Sequence, residues 1–254
     1  MIPKKIHYCW FGRNPLPKSA LKCIASWRKF FPDYEIIEWN EDNFDVNSIP
    51  YTAQAYEAKK YAFVSDYARF KILYEHGGIY FDTDVEVIKP FDDILAKGPF
   101  MGFEIDPKES NSFSGYVAPG LGLGVNPGLG LYKKILDYYL GLSFMLPDGG
   151  YNVSDAVVKI TTRELLKEGL TYISGIQVVS GITIYPSDFF NPLDDTTGRL
   201  QITTNTHSIH WFSKTWLHVS PFRQFVSRLA HRVFGTETTG RIRNYLKQFS
   251  QKNK

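Results

Sequence analysis

The chain has 254 residues, 43% of them hydrophobic and 22% charged, enough for one sizeable core, either as a single domain or as one domain with a short appendage. The net charge is only +3 and no nucleic-acid recognition motif accompanies it, which argues against a nucleic-acid partner. Cys9 and Cys23 are its two cysteines, too few for a disulfide framework and wrongly spaced for a zinc site, so a reducing, cytoplasmic setting is expected.

The N-terminus lacks the continuous apolar stretch of a signal peptide, and no run approaches the ~18 apolar residues that span a bilayer. Charge is unevenly placed. From Lys214 onward nine Lys and Arg face one acid, Glu237, while the remainder holds 20 basic and 25 acidic residues. A mildly acidic body therefore carries a basic tail. Aromatics make up 16% of the chain; most are expected to pack, with some free to stack on flat or ring-shaped ligands.

In chain order, Lys4 to Phe11 reads as a first strand, broken by Gly12, Pro15 and Pro17. Lys18 to Phe31 carries Leu21, Ile24, Ala25 and Phe31 at helical spacing, and Pro32 stops it. A short strand is expected at Glu35 to Trp39. Gln54 to His76 is the longest helical pattern, ended by Gly77-Gly78. Ile79-Tyr80-Phe81 then reads as a strand running into Asp82-Thr83-Asp84. Along it Ile79, Phe81, Val85 and Val87 alternate with Tyr80, Asp82, Asp84 and Glu86, which predicts one extended segment with its acids on one face.

Further strands are expected at 100–104, 121–125 and 182–185, with helices at 129–140 and 155–168. The stretch 221–247 looks helical, with a break near Gly235. Strands alternating with helices predict an α/β class with a mixed sheet. Gly120, Gly122 and Gly124 form G-x-G-x-G without the strand-loop-helix order of a dinucleotide fingerprint, so they predict a tight strand or loop instead.

Asp82-x-Asp84 places two carboxylates where a hard divalent cation could bind, and such a cation can neutralise a departing diphosphate. Ligands of α/β sheets bind beyond the carboxyl ends of strands. Asp66 and Arg69 lie three apart on the preceding helix, among Ala62, Phe63, Ala68 and Phe70, so they are expected to be buried and able to bind sugar hydroxyls.

The stretch Ser65-Asp66-Tyr67-Ala68-Arg69-Phe70, then Leu73-Tyr74, then Gly77-Gly78-Ile79-Tyr80-Phe81-Asp82-Thr83-Asp84, resembles the DXD-containing sugar-transferase family. That family includes capsular and lipopolysaccharide glycosyltransferases, yeast-type mannosyltransferases and, more distantly, the glucosylating clostridial toxins. The likeness extends to Ile2 through Gly12 and returns at Ile209-His210-Trp211 and Trp216. It implies a GT-A fold, a Mn²⁺ or Mg²⁺ ion, a nucleotide-sugar donor (a UDP-sugar by preference) and retention of anomeric configuration.

Residue by residue, the resemblance implies that Trp10 flanks or stacks on the base, that Asp66 and Arg69 hold the donor sugar, and that Tyr80 packs near the donor. It gives Asp82 contacts to ribose and metal, and makes Asp84 a direct metal ligand. His210 is the third ligand it suggests, with Lys214 and Trp216 facing the diphosphate, although the usual Ala-Gly-Ser turn is replaced here by Ser213-Lys214-Thr215. Asn152 or Asp155 is expected to face the acceptor or the reacting centre.

A catalytic domain over 1–220 and a basic helical tail over 221–254 follow. In the tail, Arg223, Arg228, Arg232, Arg241 and Arg243 alternate with Phe222, Phe225, Leu229 and Val233. This suits either a peripheral contact with anionic lipid at the inner membrane face, near a lipid-linked acceptor, or a solvated helix packed on the body. The function expected is sugar transfer to a saccharide or lipid-linked acceptor in surface polysaccharide synthesis. The alternative is a nucleotide-sugar hydrolase or a non-catalytic sugar-binding module on the same fold.

Overall fold

A computed structural model describes residues 1–107, 115–213, 226–229 and 232. The chain divides into two compact units, residues 1–192 with 202–210, and residues 193–201 with 211–254. In the smaller unit, Asp194 closes a turn by accepting from the backbone N–H groups of Thr196 and Thr197, and Arg228 pairs with Asp195 at 3.1 Å. The boundary expected at 220/221 and most of the basic tail lie outside the described residues.

The larger unit begins with β1 (Lys5–Cys9), α1 (Lys18–Phe30), β2 (Glu35–Trp39), α2 (Pro50–Glu57) and α3 (Tyr61–His76). Then come β3 (Gly78–Tyr80), β4 (Val85–Val87), α4 (Asp92–Leu95), β5 (Phe100–Ile105), β6 (Tyr116–Val117) and β7 (Leu123–Val125). It closes with α5 (Gly130–Leu140), α6 (Val157–Lys167), β8 (Gln177–Val179), β9 (Ile182–Tyr185), α7 (Ser187–Phe190) and β10 (Ser208–His210).

The main sheet runs in the order β2-β1-β3-β7-β5-β9-β8, with β6 paired to β5. The β1–β2, β1–β3 and β5–β9 pairs are parallel, whereas β3–β7, β5–β7 and β8–β9 are antiparallel. A small antiparallel sheet joins β4 to β10. This is the mixed α/β sheet flanked by helices that the alternation of strands and helices predicts. The core falls in two clusters, one around Tyr51, Phe70, Tyr132, Tyr139 and Phe144, the other around Trp27, Phe81, Phe91 and Phe100.

Two local expectations need correction. The helix expected over 54–76 is two helices. The chain leaves the first at Ala58, Lys59 takes a left-handed φ of 56°, and the Lys60 N–H returns to the Ala55 carbonyl. That closure lets α3 start at a new angle, so apolar spacing alone joined two separate elements. Nor is the acidic stretch one extended segment. Residues 83–84 form a turn, with the Val85 N–H donating to the Asp82 carbonyl at 3.0 Å. The chain thereby passes from the main sheet into the small one, and Glu86 goes elsewhere, to Lys22.

The exit from α3 has a steric reason. Gly78 has φ +98°, and a Cβ there would lie 2.8 Å from the Lys5 carbonyl oxygen and 3.0 Å from His7 Nε2. His7 is fully buried. The Trp39 indole, which can only donate, reaches His7 Nδ1 at 3.0 Å, so the proton sits on Nε2 and is donated to the Gly77 carbonyl at 3.0 Å. Burial pushes this imidazole down from 6.5 to about 4, with the Gly77 bond opposing the shift. The unfolded chain therefore binds a proton that the fold refuses between those values. Stability should fall by about 3 kcal/mol as pH drops from 6.5 to 4, and chemical denaturation across that range should show the loss reduced in His7→Gln.

Candidate functional site

The parallel strands β1 and β3 end side by side, with His7 opposite Tyr80. The chain beyond β3 turns over this edge as Asp82-Thr83-Asp84. The small sheet supplies the facing wall, because its register sets His210 opposite Val85, one residue from Asp84. Histidine and aspartate, 126 positions apart in the sequence, are brought together by three residues of strand pairing.

His210 Nε2 lies 3.1 Å from Asp84 Oδ1. One donor atom each from Asp82, Asp84 and His210 fall within 4.8 Å of one another. Burial opposes a charge on His210, but Asp84 and then Asp82 outweigh it and raise its pKa to about 9. Two carboxylate oxygens and an imidazole nitrogen are a donor set suited to Mn²⁺, which accepts both hard oxygen and borderline nitrogen ligands, better than to Mg²⁺. The residues present therefore fit a divalent ion, provided that His210 gives up its proton.

Next to this triangle lies Arg69, on the face of α3 turned to the strand ends. It is 4% exposed. Its Nε donates to the Ser65 carbonyl at 3.1 Å, and its Nη2 donates to Asp66 Oδ1 at 2.8 Å and sits 3.4 Å from Asp82 Oδ1. The guanidinium lies over the Tyr80 ring, 5.0 Å from its centre. Burial alone would weaken the charge on Arg69, but Asp82, Tyr80 and Asp66 hold it fast.

Asp66 is pushed up to about 6 by burial, against the pull of Arg69 and with the help of Asp82. Its second oxygen has no hydrogen-bond partner among the described residues. Tyr80 is buried and reaches the site through its hydroxyl, which donates to Asp82 Oδ1 at 2.9 Å. Asp82 thus leans on Tyr80 and Arg69 from one side and faces Asp84 and His210 on the other.

The structure therefore gathers Asp66, Arg69, Tyr80, Asp82, Asp84 and His210. Trp10 follows β1 directly, half-buried, with its indole N–H held by the Asn14 carbonyl at 2.6 Å, which leaves the ring face as its contact surface. Asn152 and Asp155 form a pair of their own: Asn152 Nδ2 donates to Asp155 Oδ2 at 2.9 Å, and the Tyr138 hydroxyl reaches Asp155 Oδ1 at 3.3 Å. Lys214 and Trp216 lie outside the described residues.

Sequence reasoning passed over Tyr51 and Tyr139. Both are fully buried, and neither hydroxyl has a hydrogen-bond partner among the described residues. Burial and then Asp66 raise each phenol's pKa, with Asp155 adding to both. The two phenols therefore lie within electrostatic reach of both carboxylates. Nothing in their spacing separates them from the many tyrosines of the core.

The chain is similar to one protein family and to several known proteins. Residues 17–101 match the family described as the glycosyltransferase sugar-binding region containing the DXD motif. An uncharacterized glycosyltransferase of Acanthamoeba polyphaga mimivirus is 27% identical over 198 residues, 76% of this chain and 74% of that protein. Inositol phosphoceramide mannosyltransferase 1 of Schizosaccharomyces pombe is 30% identical over 116 residues, 39% of this chain but 33% of its own length. Among solved structures, the PaToxG glycosyltransferase aligns with a TM-score of 0.48 at 21% identity, covering 66% of this chain and 70% of that one.

Proposed function

We propose that this chain is a metal-dependent, retaining glycosyltransferase that uses a nucleotide-sugar donor, a UDP-sugar by preference, a reading supported by the match of residues 17–101 to the DXD-containing sugar-binding region. The observation that supports this most is the Asp82–Asp84–His210 triangle, 4.8 Å across at most, set against a buried Asp66–Arg69 pair. A cation and a sugar would thus be held side by side, as a sugar diphosphate requires.

Asp82, Asp84 and His210 would hold Mn²⁺ or Mg²⁺, which when bound offsets the charge that grows on the leaving diphosphate. Arg69 donates to hydroxyls of the sugar, and the second oxygen of Asp66 accepts from one, so the ring is fixed before reaction. The Trp10 ring face flanks the base. The bond between the anomeric carbon and the phosphate oxygen breaks, and its electron pair leaves with the diphosphate. The acceptor oxygen bonds to the same face of that carbon, and its proton passes to the departing phosphate oxygen, so the step needs no protein base.

Asn152 and Asp155 are placed on the acceptor side in this reading, and the acceptor is a saccharide or a lipid-linked saccharide of a surface polysaccharide. The basic segment 221–254 would meet anionic lipid at the inner membrane face. No helix among the described residues is long and apolar enough to cross a membrane.

Three results test the proposal. Mn²⁺ together with a UDP-sugar should raise the melting temperature by about 5 °C at ligand concentrations near 100-fold over Kd, and sugar should reach an added acceptor rather than water. Release of free sugar alone would favour the hydrolase reading. Because His210 must shed a proton whose pKa is about 9, Mn²⁺ affinity should rise roughly tenfold per pH unit between 6.5 and 8, measurable by calorimetry in buffers of different ionisation heat.

A further inference from the structure

We infer that Gly120 is a positioning residue for the Asp82 carboxylate: the absence of a side chain at 120 is what lets that carboxylate stand between Arg69, Tyr80 and the metal-binding triangle. A Cβ built on Gly120 would lie 2.0 Å from Asp82 Oδ2 and 3.0 Å from its Cγ, with Arg69 Nη1 next at 3.4 Å. No real pair of atoms tolerates the first distance, so one partner must move.

The loop cannot easily be the one that yields. The Asp82 N–H donates to the Gly120 carbonyl at 3.1 Å, and the Ala118 N–H donates to the Gly102 carbonyl at 3.1 Å. Ala118 and Leu121, on either side, are buried. Asp82 is the freer partner, since 28% of its side chain is exposed. An alanine at 120 would therefore swing the carboxylate away from Arg69 Nη2 and the Tyr80 hydroxyl.

Backbone freedom is not what position 120 needs. Among the three alternate glycines, Gly122 alone has a left-handed φ, +148°, and its Cβ would meet Phe81 at 3.0 Å; at Gly124 a Cβ would meet Phe100 at 2.1 Å. Those two glycines make room for core rings. Gly120 makes room for a carboxylate, so its effect should register in ion binding as well as in stability.

The test is a double-mutant cycle on the full chain, read by thermal unfolding and by Mn²⁺ titration. Gly120→Ala should lower the melting temperature by roughly 4 °C and weaken Mn²⁺ binding at least tenfold. In an Asp82→Ala background the nearest remaining neighbour is the Arg69 atom at 3.4 Å, an ordinary contact, so the same change should cost under ~1 °C. Should Gly120→Ala alone fail to fold, the double variant should still fold.

An equal loss of stability in both backgrounds would overturn the inference, and so would wild-type Mn²⁺ affinity in Gly120→Ala. The inference rests on the proposed function in its metal arm alone. If the wild-type chain takes up no Mn²⁺, that reading fails, while the stability coupling between positions 120 and 82 still decides the placement of the carboxylate.

Discussion

Asp84→Ala should lower kcat/KM by about 10³-fold or more and abolish saturable Mn²⁺ binding, while the chain still folds. The size follows from what the side chain does. A preorganised charge placed where negative charge develops is worth a factor of roughly 10²–10³ when removed, and here the loss would take the ion with it. The fold should lose some stability as well, because Asp84 is only 15% exposed and is the 3.1 Å partner of His210; the loss is limited because the imidazole can shed its proton and stay buried as a neutral group. Without that carboxylate the imidazole loses its largest source of extra basicity, so His210 should titrate well below 9 in the variant, as NMR of the ring protons would show. Unchanged turnover in the purified variant would remove Asp84 from any role with a metal.

Arg69→Ala should be the most damaging single change to both fold and activity. The guanidinium is shared by Asp66 and Asp82, and its Nε is bonded to Ser65. Truncation leaves two poorly solvated carboxylates facing one another without a cation. Removing one partner of a buried ion pair costs roughly 3–5 kcal/mol, which for a chain of this size means a melting temperature lower by about 10 °C. Turnover should fall with it, because the sugar loses its donor and Asp82 loses its brace. Arg69→Lys should not rescue fully: an ammonium is a point charge and cannot bond Ser65, Asp66 and Asp82 at once. Its stability should fall between wild type and Arg69→Ala, while kcat stays near the alanine level.

Much of this site could be read before any fold was known, because its chemistry is local. Asp66 and Arg69 are one helical turn apart, so spacing alone put that pair on one surface, whereas Asp82 and Asp84 stand together across a turn and not along one strand face. His210 was reached through resemblance, and the reason it belongs there is non-local: β10 pairs with β4, which no periodicity in either strand announces. The turn at 83–84 was missed for a related cause. Alternation from Ile79 to Val87 fits one strand as well as two, and only the change of sheet shows that the chain is cut at Thr83. Likewise Ala-rich spacing from Gln54 to His76 concealed the left-handed Lys59 that divides the helix.

Gly120 shows the limit most clearly. The G-x-G-x-G run was visible, and a tight approach could be expected of it, but what approaches each glycine depends on β7 lying beside β3. One faces a carboxylate and the other two face rings. Tyr51 and Tyr139 were hidden differently: among 16 tyrosines, burial beside Asp66 is set by how α2 and α5 pack against α3.

A cation held by Asp82, Asp84 and His210 beside a sugar diphosphate is the central requirement of the proposed reaction. Crystals of the full chain grown with Mn²⁺ and UDP, measured at the manganese absorption edge, test this directly. The predicted result is one anomalous peak in contact with all three side chains and with the diphosphate. UDP bound with no anomalous peak at that triangle, or with the manganese held by other residues, would contradict it.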